Sequence, residues 1–248
     1  MNTLSVIIIT KNESLNIRAC LESIVWADEI IVVDSGSTDG TLEIAREFTP
    51  QVHVHADWPG FGAQKNRALS YASKDWVLSL DADERVTPQL RAEIEALLKN
   101  PQSDGYEIPR LSNFCGRFIR HSGWHPDYVL RLFRRGKASF SNALVHESVQ
   151  MQGSAARLQQ SLLHYTYRDF EDVLSKLNSY SSAASVMLQR RGKKGSLSQA
   201  VLHGLWAFIR TYLLRAGFLD GREGFMLAVM NAENSYYRYI KLWLKQKS

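Results

Sequence analysis

Two kinds of apolar pattern alternate through the first hundred residues. LSVIIIT at Leu4–Thr10 is an unbroken β-branched run, which predicts a strand covered on both faces. Ile17, Cys20, Leu21 and Ile24 then recur at i, i+3, i+4 and i+7, the stripe of a helix lying on that sheet. EIIVV at 29–33 is a second strand ending at Asp34, and the SGSTDG that contains the following turn puts Thr38 or Asp39 where a helix cap belongs. A short strand at 52–55, a helix over about 62–72 and the buried strand WVLSL at 76–80, ending at Asp81, come next. Pro88 suits the first turn of a helix reaching about residue 98. The alternation predicts an α/β domain with a mixed, mostly parallel sheet flanked by helices.

The pattern changes after residue 100. Short strand-like runs at 106–111, 129–133 and 145–150 are separated by turns rich in Gly, Asn and His. Beyond them, Phe170, Val173, Leu174, Leu177, Tyr180, Ala184 and Met187 fall at helical spacing over about 169–189. GKKGS at 192–196 is a basic joint, and 197–214 and 222–244 read as two more helices about the 217–221 turn. The expected division is a catalytic domain at 1–165, made of halves 1–100 and 101–165, and a helical, basic C-terminal region at 166–248.

Composition narrows the class. With 248 residues, 45% apolar and 22% charged, the chain sits near the globular average, which excludes disordered and collagen-like classes. Cys20 and Cys115 make no disulfide framework, and the N-terminus lacks the pattern of a signal peptide, so the reducing cytoplasm is expected. The net charge of +5 is unevenly spread: residues 1–100 balance at −6, 101–188 at +3 and 189–248 at +8. A basic tail suits an anionic partner such as nucleic acid or acidic lipid; a solvated helix pair is the plainer alternative. The apolar stretch 201–214 is about 14 residues long, below the roughly 20 that span a bilayer. Trp206, Phe208, Tyr212, Phe218, Trp243 and the YYRY run at 236–239 mix aromatics with Arg and Lys, which suits a helix lying in a membrane interface, or packing on the α/β core.

The strongest chemical signal is Asp81-Ala82-Asp83. Two carboxylates at the carboxyl end of a buried strand need a cation or donors, and hard oxygens suit Mg²⁺ or Mn²⁺. Asp34, ending a neighbouring strand, can accept from a nucleobase or ribose, or else form an Asx-type turn. Lys65, in GAQKNRA at 62–68, lies in the first turn of a helix and can meet a diphosphate there or face water. Neither Gly-x-Gly-x-x-Gly nor a phosphate-binding Gly-x-x-x-x-Gly-Lys-Ser/Thr is present, which disfavours a dinucleotide oxidoreductase and a P-loop NTPase.

TKNE at 10–13, VVDSGSTDGT around Asp34, the 62–68 segment and LSLDADE around Asp83 resemble, in order and spacing, the family 2 inverting glycosyltransferases of GT-A fold. NFCGRFIRHSGWHPDYVLRLFRR, VHE and RAGFLDGREGFMLA resemble the lipopolysaccharide inner-core enzymes that add β-1,4-glucose to heptose I. The resemblance implies transfer of a hexose, glucose in the first instance, from a UDP-sugar. Thr10, Glu13, Asp34, Lys65, Asp81 and Ala82 would line the nucleotide-sugar site. Asp83 would ligate the metal, with His146 as a further ligand. Asp127, in the acidic slot before an Arg-rich strand, would be the base. This chain has Pro126-Asp127 there, where relatives carry a Glu-Asp pair. Trp124, His125 and Arg131 would meet the acceptor, as would an Arg-rich surface suited to its phosphates.

The implied partners are a UDP-sugar, the lipopolysaccharide core and the cytoplasmic face of the inner membrane, reached peripherally through the C-terminal region. A polyprenyl phosphate acceptor is a rival. A nucleic-acid-binding module is another, and the carboxylates gathered at strand ends argue against it; no nucleic acid is expected.

Overall fold

The computed structural model describes residues 2–141, 148–167 and 169–247. In chain order they form β1 (Leu4–Thr10), α1 (Ile17–Glu22), β2 (Glu29–Asp34), α2 (Thr41–Phe48), β3 (Val52–Val54), α3 (Phe61–Tyr71), β4 (Trp76–Asp81), β5 (Glu84–Val86) and α4 (Pro88–Lys99). The chain continues through β6 (Gly105–Phe114), β7 (Arg117–Phe118), β8 (Asp127–Arg134), β9 (Ala138–Phe140), β10 (Val149–Met151), β11 (Ala155–Arg157) and β12 (Leu162–Tyr167). Three long helices follow: α5 (Phe170–Arg190), α6 (Leu197–Ile209) and α7 (Gly221–Lys245). A π-helical turn at Arg210–Leu214 and a 3₁₀ turn at Gly217–Asp220 join the last two.

The chain divides into two compact units. One holds Met1–Arg110 and Asp127–His164; the other holds Leu111–Pro126 and Tyr165–Ser248. Residues 111–126 group with the C-terminal helices because Phe114 and Ile119 share a core with Val173, Leu177 and Leu227.

In the first unit, β3, β2, β1 and β4 lie side by side and parallel, and β8 and then β6 continue the sheet antiparallel. The mixed, flanked sheet is the expected architecture. The order in which strands are added reverses at β1: β2 and β3 build out on one side and β4 on the other, and ligands bind outside the strand ends at such a point. The unbroken apolar runs follow from burial on both faces. Leu4, Val6, Ile8, Ile30, Val32, Leu78 and Leu80 pack with Ile17, Cys20, Leu21 and Leu90, while Ile7, Ile9, Ile31, Val33 and Val77 pack with Ala68, Ala72 and Phe133. Truncating one such side chain, as in Ile8→Ala, costs about 2–5 kcal/mol.

The predicted strands and helices of the first hundred residues recur with ends shifted by one or two residues. Thr87, whose hydroxyl accepts from Leu90 N, caps α4 with Pro88 behind it. The expected run at 145–150 is observed as β10 in its later part, and 142–147 lie outside the described residues. Strands β5, β7, β9, β11 and β12 had no sequence counterpart.

The second unit is built on α5 and α7. Between them Lys241 Nζ donates to Asn178 O and Oδ1, at 3.0 and 2.7 Å, and to Ser181 and Ser182 Oγ, both at 2.8 Å. Helix α6 lies on α7 through Ala200, Gly204 and Ala207, and a Cβ on Gly204 would stand 3.2 Å from Ala232 O. Among the described residues no helix is long and apolar enough to cross a membrane.

Candidate active site

Strand register gathers the sequence-derived residues at one edge of the sheet. Thr10 pairs with Asp34 across β1–β2, and Ile9 pairs with Asp81 across β1–β4. Thr10, on the central strand, is buried, and its Oγ1 has no hydrogen-bond partner among the described residues. An unsatisfied buried hydroxyl of this kind costs about 1–3 kcal/mol.

Asp34 is fully buried, and its carboxylate closes its own loop. Oδ1 accepts from Gly36 N at 2.8 Å and Ser37 N at 2.7 Å, and Ser37 Oγ donates to Oδ2. Of the two roles open in the sequence, the Asx-type turn is the one these bonds form. Gly36 turns the chain at φ +80°, a conformation that favours glycine. The loop after β1 is laced to it: Asn12 N donates to Ser37 Oγ and Ser14 N to Asp39 Oδ2, while Thr38 N donates to Asn12 Oδ1. Glu13 N donates to Thr41 Oγ1, and its Oε2 accepts from Asn16 Nδ2 at the start of α1.

Asp81 leaves the sheet on the α3 side. Lys65 Nζ, on α3, stands 3.0 Å from its Oδ1, and Arg131 on β8 donates to Oδ2. The same guanidinium reaches Glu84 Oε1 at 2.6 Å, Arg110 lies 3.8 Å from that oxygen, and Arg110 donates to Asp127 Oδ2 through Nε at 2.9 Å and Nη2 at 2.5 Å. Lys65, Asp81, Arg131, Glu84, Arg110 and Asp127 thus form a ladder of alternating charge. It runs from the acidic strand end to the carboxylate expected to be the base.

Burial and neighbouring charge compete along the ladder. Burial pushes the Asp81 carboxyl up, but Arg131 and then Lys65 outweigh it and hold the group well below the usual carboxylate range. Burial pushes the fully buried Glu84 up, and neighbouring Asp81 adds to this against the pull of Arg131, leaving Glu84 raised. Burial works against the Arg131 cation, yet Asp81 and Glu84 hold its pKa above normal.

Asp83 faces His164, with Oδ2 3.5 Å from Nε2, and keeps a partly exposed carboxylate. The Ala82 methyl belongs to the core, so only its backbone is available to a ligand; its carbonyl accepts from Arg85 at 2.8 Å. His146 lies outside the described residues.

Two of the acceptor-side candidates, Arg131 and Trp124, have close protein partners. Arg131 is 4% exposed, and its guanidinium pairs with Asp81 and Glu84. The partly buried Trp124 ring packs against the core of the second unit, stacking on Tyr167 at 6.1 Å and meeting Phe114 edge-on at 5.7 Å; His125 belongs to the same unit. Glu84, Arg110 and His164 were missed by sequence reasoning. Only Glu84 left a signal, a carboxylate in a segment bounded by buried apolar residues.

The family described as glycosyl transferase family 2 matches residues 5–166. A relative from Rickettsia prowazekii (strain Madrid E), named uncharacterized glycosyltransferase RP128, is 33% identical over 98% of this chain and 87% of its own. A lipopolysaccharide core biosynthesis glycosyltransferase, LpsC of Rhizobium meliloti (strain 1021), is 29% identical over 95% of this chain and 93% of its own. Among solved structures, S. aureus TarS 1–349 shares the fold, with a TM-score of 0.53 and 18% identity over 99% of this chain and 92% of that one. The same TarS fragment has been solved in complex with UDP-GlcNAc, where the likeness has a TM-score of 0.51 at 16% identity and the same coverage of both chains. The expected GT-A fold is therefore present, and with the family matched across more than half of its length, the chain belongs to glycosyl transferase family 2.

Proposed function

We propose that the chain transfers a hexose, glucose in the first instance, from a UDP-sugar to heptose I of a lipopolysaccharide inner core, inverting the anomeric carbon to give a β-1,4 linkage. The observation that supports this most is the ladder from Asp81 to Asp127, which ties a strand-end acidic motif to a carboxylate suited to take a proton. The core acceptor is supported by the likeness to LpsC over nearly the whole chain, and the UDP-sugar by the TarS complex with UDP-GlcNAc.

Each residue has a distinct part in this reading. Asp127 accepts the proton of the attacking hydroxyl, and Arg110 fixes the carboxylate that does so. Lys65 brings positive charge to the strand edge where the diphosphate departs. Thr10 offers its unpaired hydroxyl to the nucleotide, and Glu13 and the Asp34 loop shape the pocket around it. Asp83 would be the protein ligand of a hard cation: Mg²⁺ and Mn²⁺ take as few as one or two protein carboxylates beside phosphate and water oxygens, and Asp83 offers one. Held there, the ion would supply charge to the leaving diphosphate. An acceptor of this class is built on a lipid anchor, so the reaction belongs at the cytoplasmic face of a membrane.

A panel of UDP-glucose, UDP-galactose and other UDP-sugars against a heptose-terminated glycolipid tests the reading, with product mass and linkage determined. A β-1,4-glucosyl product is expected. Transfer only to polyprenyl phosphate, or a different sugar or linkage, overturns the specific assignment.

A further inference from the structure

Helix α6 is amphipathic in an inverted sense. Its inward positions are small, with Ala200, Gly204 and Ala207 packed on α7, while its large apolar side chains point outward. Leu202, Leu205 and Trp206, and Leu213 and Leu214 in the π-helical turn that continues it, are each more than half exposed. A soluble helix buries its large apolar residues; one that presents them over successive turns carries a docking face.

The charge around this face says what covers it. Residues 173–219 contain seven Lys and Arg and no Asp or Glu. Arg190, Arg191, Lys193 and Lys194 precede α6, Arg210 and Arg215 follow it, and all six are exposed. A second copy of the chain docking face to face about a two-fold axis would set these cations against their own equivalents. An anionic lipid surface satisfies both features, with large side chains entering the acyl boundary and a cationic rim at the headgroups. The helix is too short to span, so it lies in the plane of the interface.

We propose that the outward face of α6 and its π-helical extension docks on a bilayer of anionic phospholipid. The inference builds on the lipid-borne acceptor proposed above, but vesicle binding needs no sugar transfer, so either can fail without the other.

Co-sedimentation with vesicles of equal parts phosphatidylglycerol and phosphatidylcholine, and with phosphatidylcholine alone, tests it. The full chain should bind the anionic vesicles, bind the neutral ones far less, and release as salt rises. The double variant Leu205→Ser/Trp206→Ser should lose roughly tenfold or more in vesicle affinity. Lys193→Ser/Lys194→Ser, outside the helix and therefore harmless to its packing, should lose about tenfold on anionic vesicles only. Circular dichroism checks that each variant folds, and the lysine pair decides the matter if the helix variant does not. Absence of binding by the unaltered chain overturns the proposal, as does binding that the lysine pair leaves intact. So does a dimer in gel filtration that the α6 substitutions dissociate.

Discussion

Arg131 and Glu84 meet at 2.6 Å in a site where Glu84 is wholly buried and Arg131 nearly so, and the same guanidinium nitrogen also serves Asp81. One cation from β8 thus holds two carboxylates from the segment that carries the acidic motif. Removing one member of a buried ion pair leaves an uncompensated charge, whereas removing both can be nearly neutral. Arg131→Met should therefore destabilise the fold by about 3–5 kcal/mol in urea unfolding, with Arg131→Met/Glu84→Gln recovering part of the loss. Strict additivity of the two substitutions would show that the pair is not coupled.

The contact between Arg110 and Asp127 makes a kinetic prediction. Asp127→Asn removes the proton acceptor but keeps the shape, so turnover should fall by about 10²-fold or more while UDP affinity stays unchanged. Arg110→Gln leaves the carboxylate but loosens it, so kcat should fall less, with KM for the donor nearly constant. Turnover close to normal in Asp127→Asn would remove that residue as the base.

Asp83 is tested separately from Asp81. Asp83→Ala should abolish the dependence of nucleotide binding on Mg²⁺ or Mn²⁺ in calorimetry and leave the melting temperature within a few degrees, because its contact with His164 is long, at 3.5 Å, and involves no buried Lys or Arg. Asp81→Ala should instead lower the melting temperature strongly, since the buried cations Lys65 and Arg131 lose a partner they share. If metal dependence survives in Asp83→Ala, the metal role belongs elsewhere.

How far these features are legible in the sequence depends on the range of the interaction. Strands β1, β2 and β4 are legible because burial on both faces writes them as continuous Val, Ile and Leu runs. The cap on α4 is legible because it is local. The strand-end position of Asp81 is legible, but its partner Arg131 is not. That pairing spans 50 residues and depends on β8 lying antiparallel to β4. Strand β12 escapes for the same reason: LLHYTY carries no clear alternation, and its pairing of Leu162 with Val86 reaches across most of the unit. At Asp34 both roles are chemically sound in sequence, and only the loop geometry places two backbone donors on its carboxylate.

Glu29, at the start of β2, gives a prediction in pH. Its carboxylate accepts from Ser5 Oγ at 2.5 Å, Ser73 N and Oγ at 2.8 Å and Gln51 Nε2 at 3.1 Å, joining the start of β1 to the turn before β4. Burial opposes the charged form, but these hydrogen bonds, led by that from Ser5, overcome it and hold the carboxyl at about 2 against its ordinary 4.5. The folded chain therefore binds this proton less readily than the unfolded chain. The resulting stability is fully present above about pH 5 and is lost as pH falls towards 2. Allowing for the partial exposure of the group, it contributes about 2 kcal/mol at neutral pH. Glu29→Gln should be less stable than the unaltered chain by that amount at pH 7, with the difference shrinking between about pH 5 and 2. Urea midpoints measured across that range test this: a gap that stays constant with pH would mean that the carboxylate charge is not what the serines stabilise.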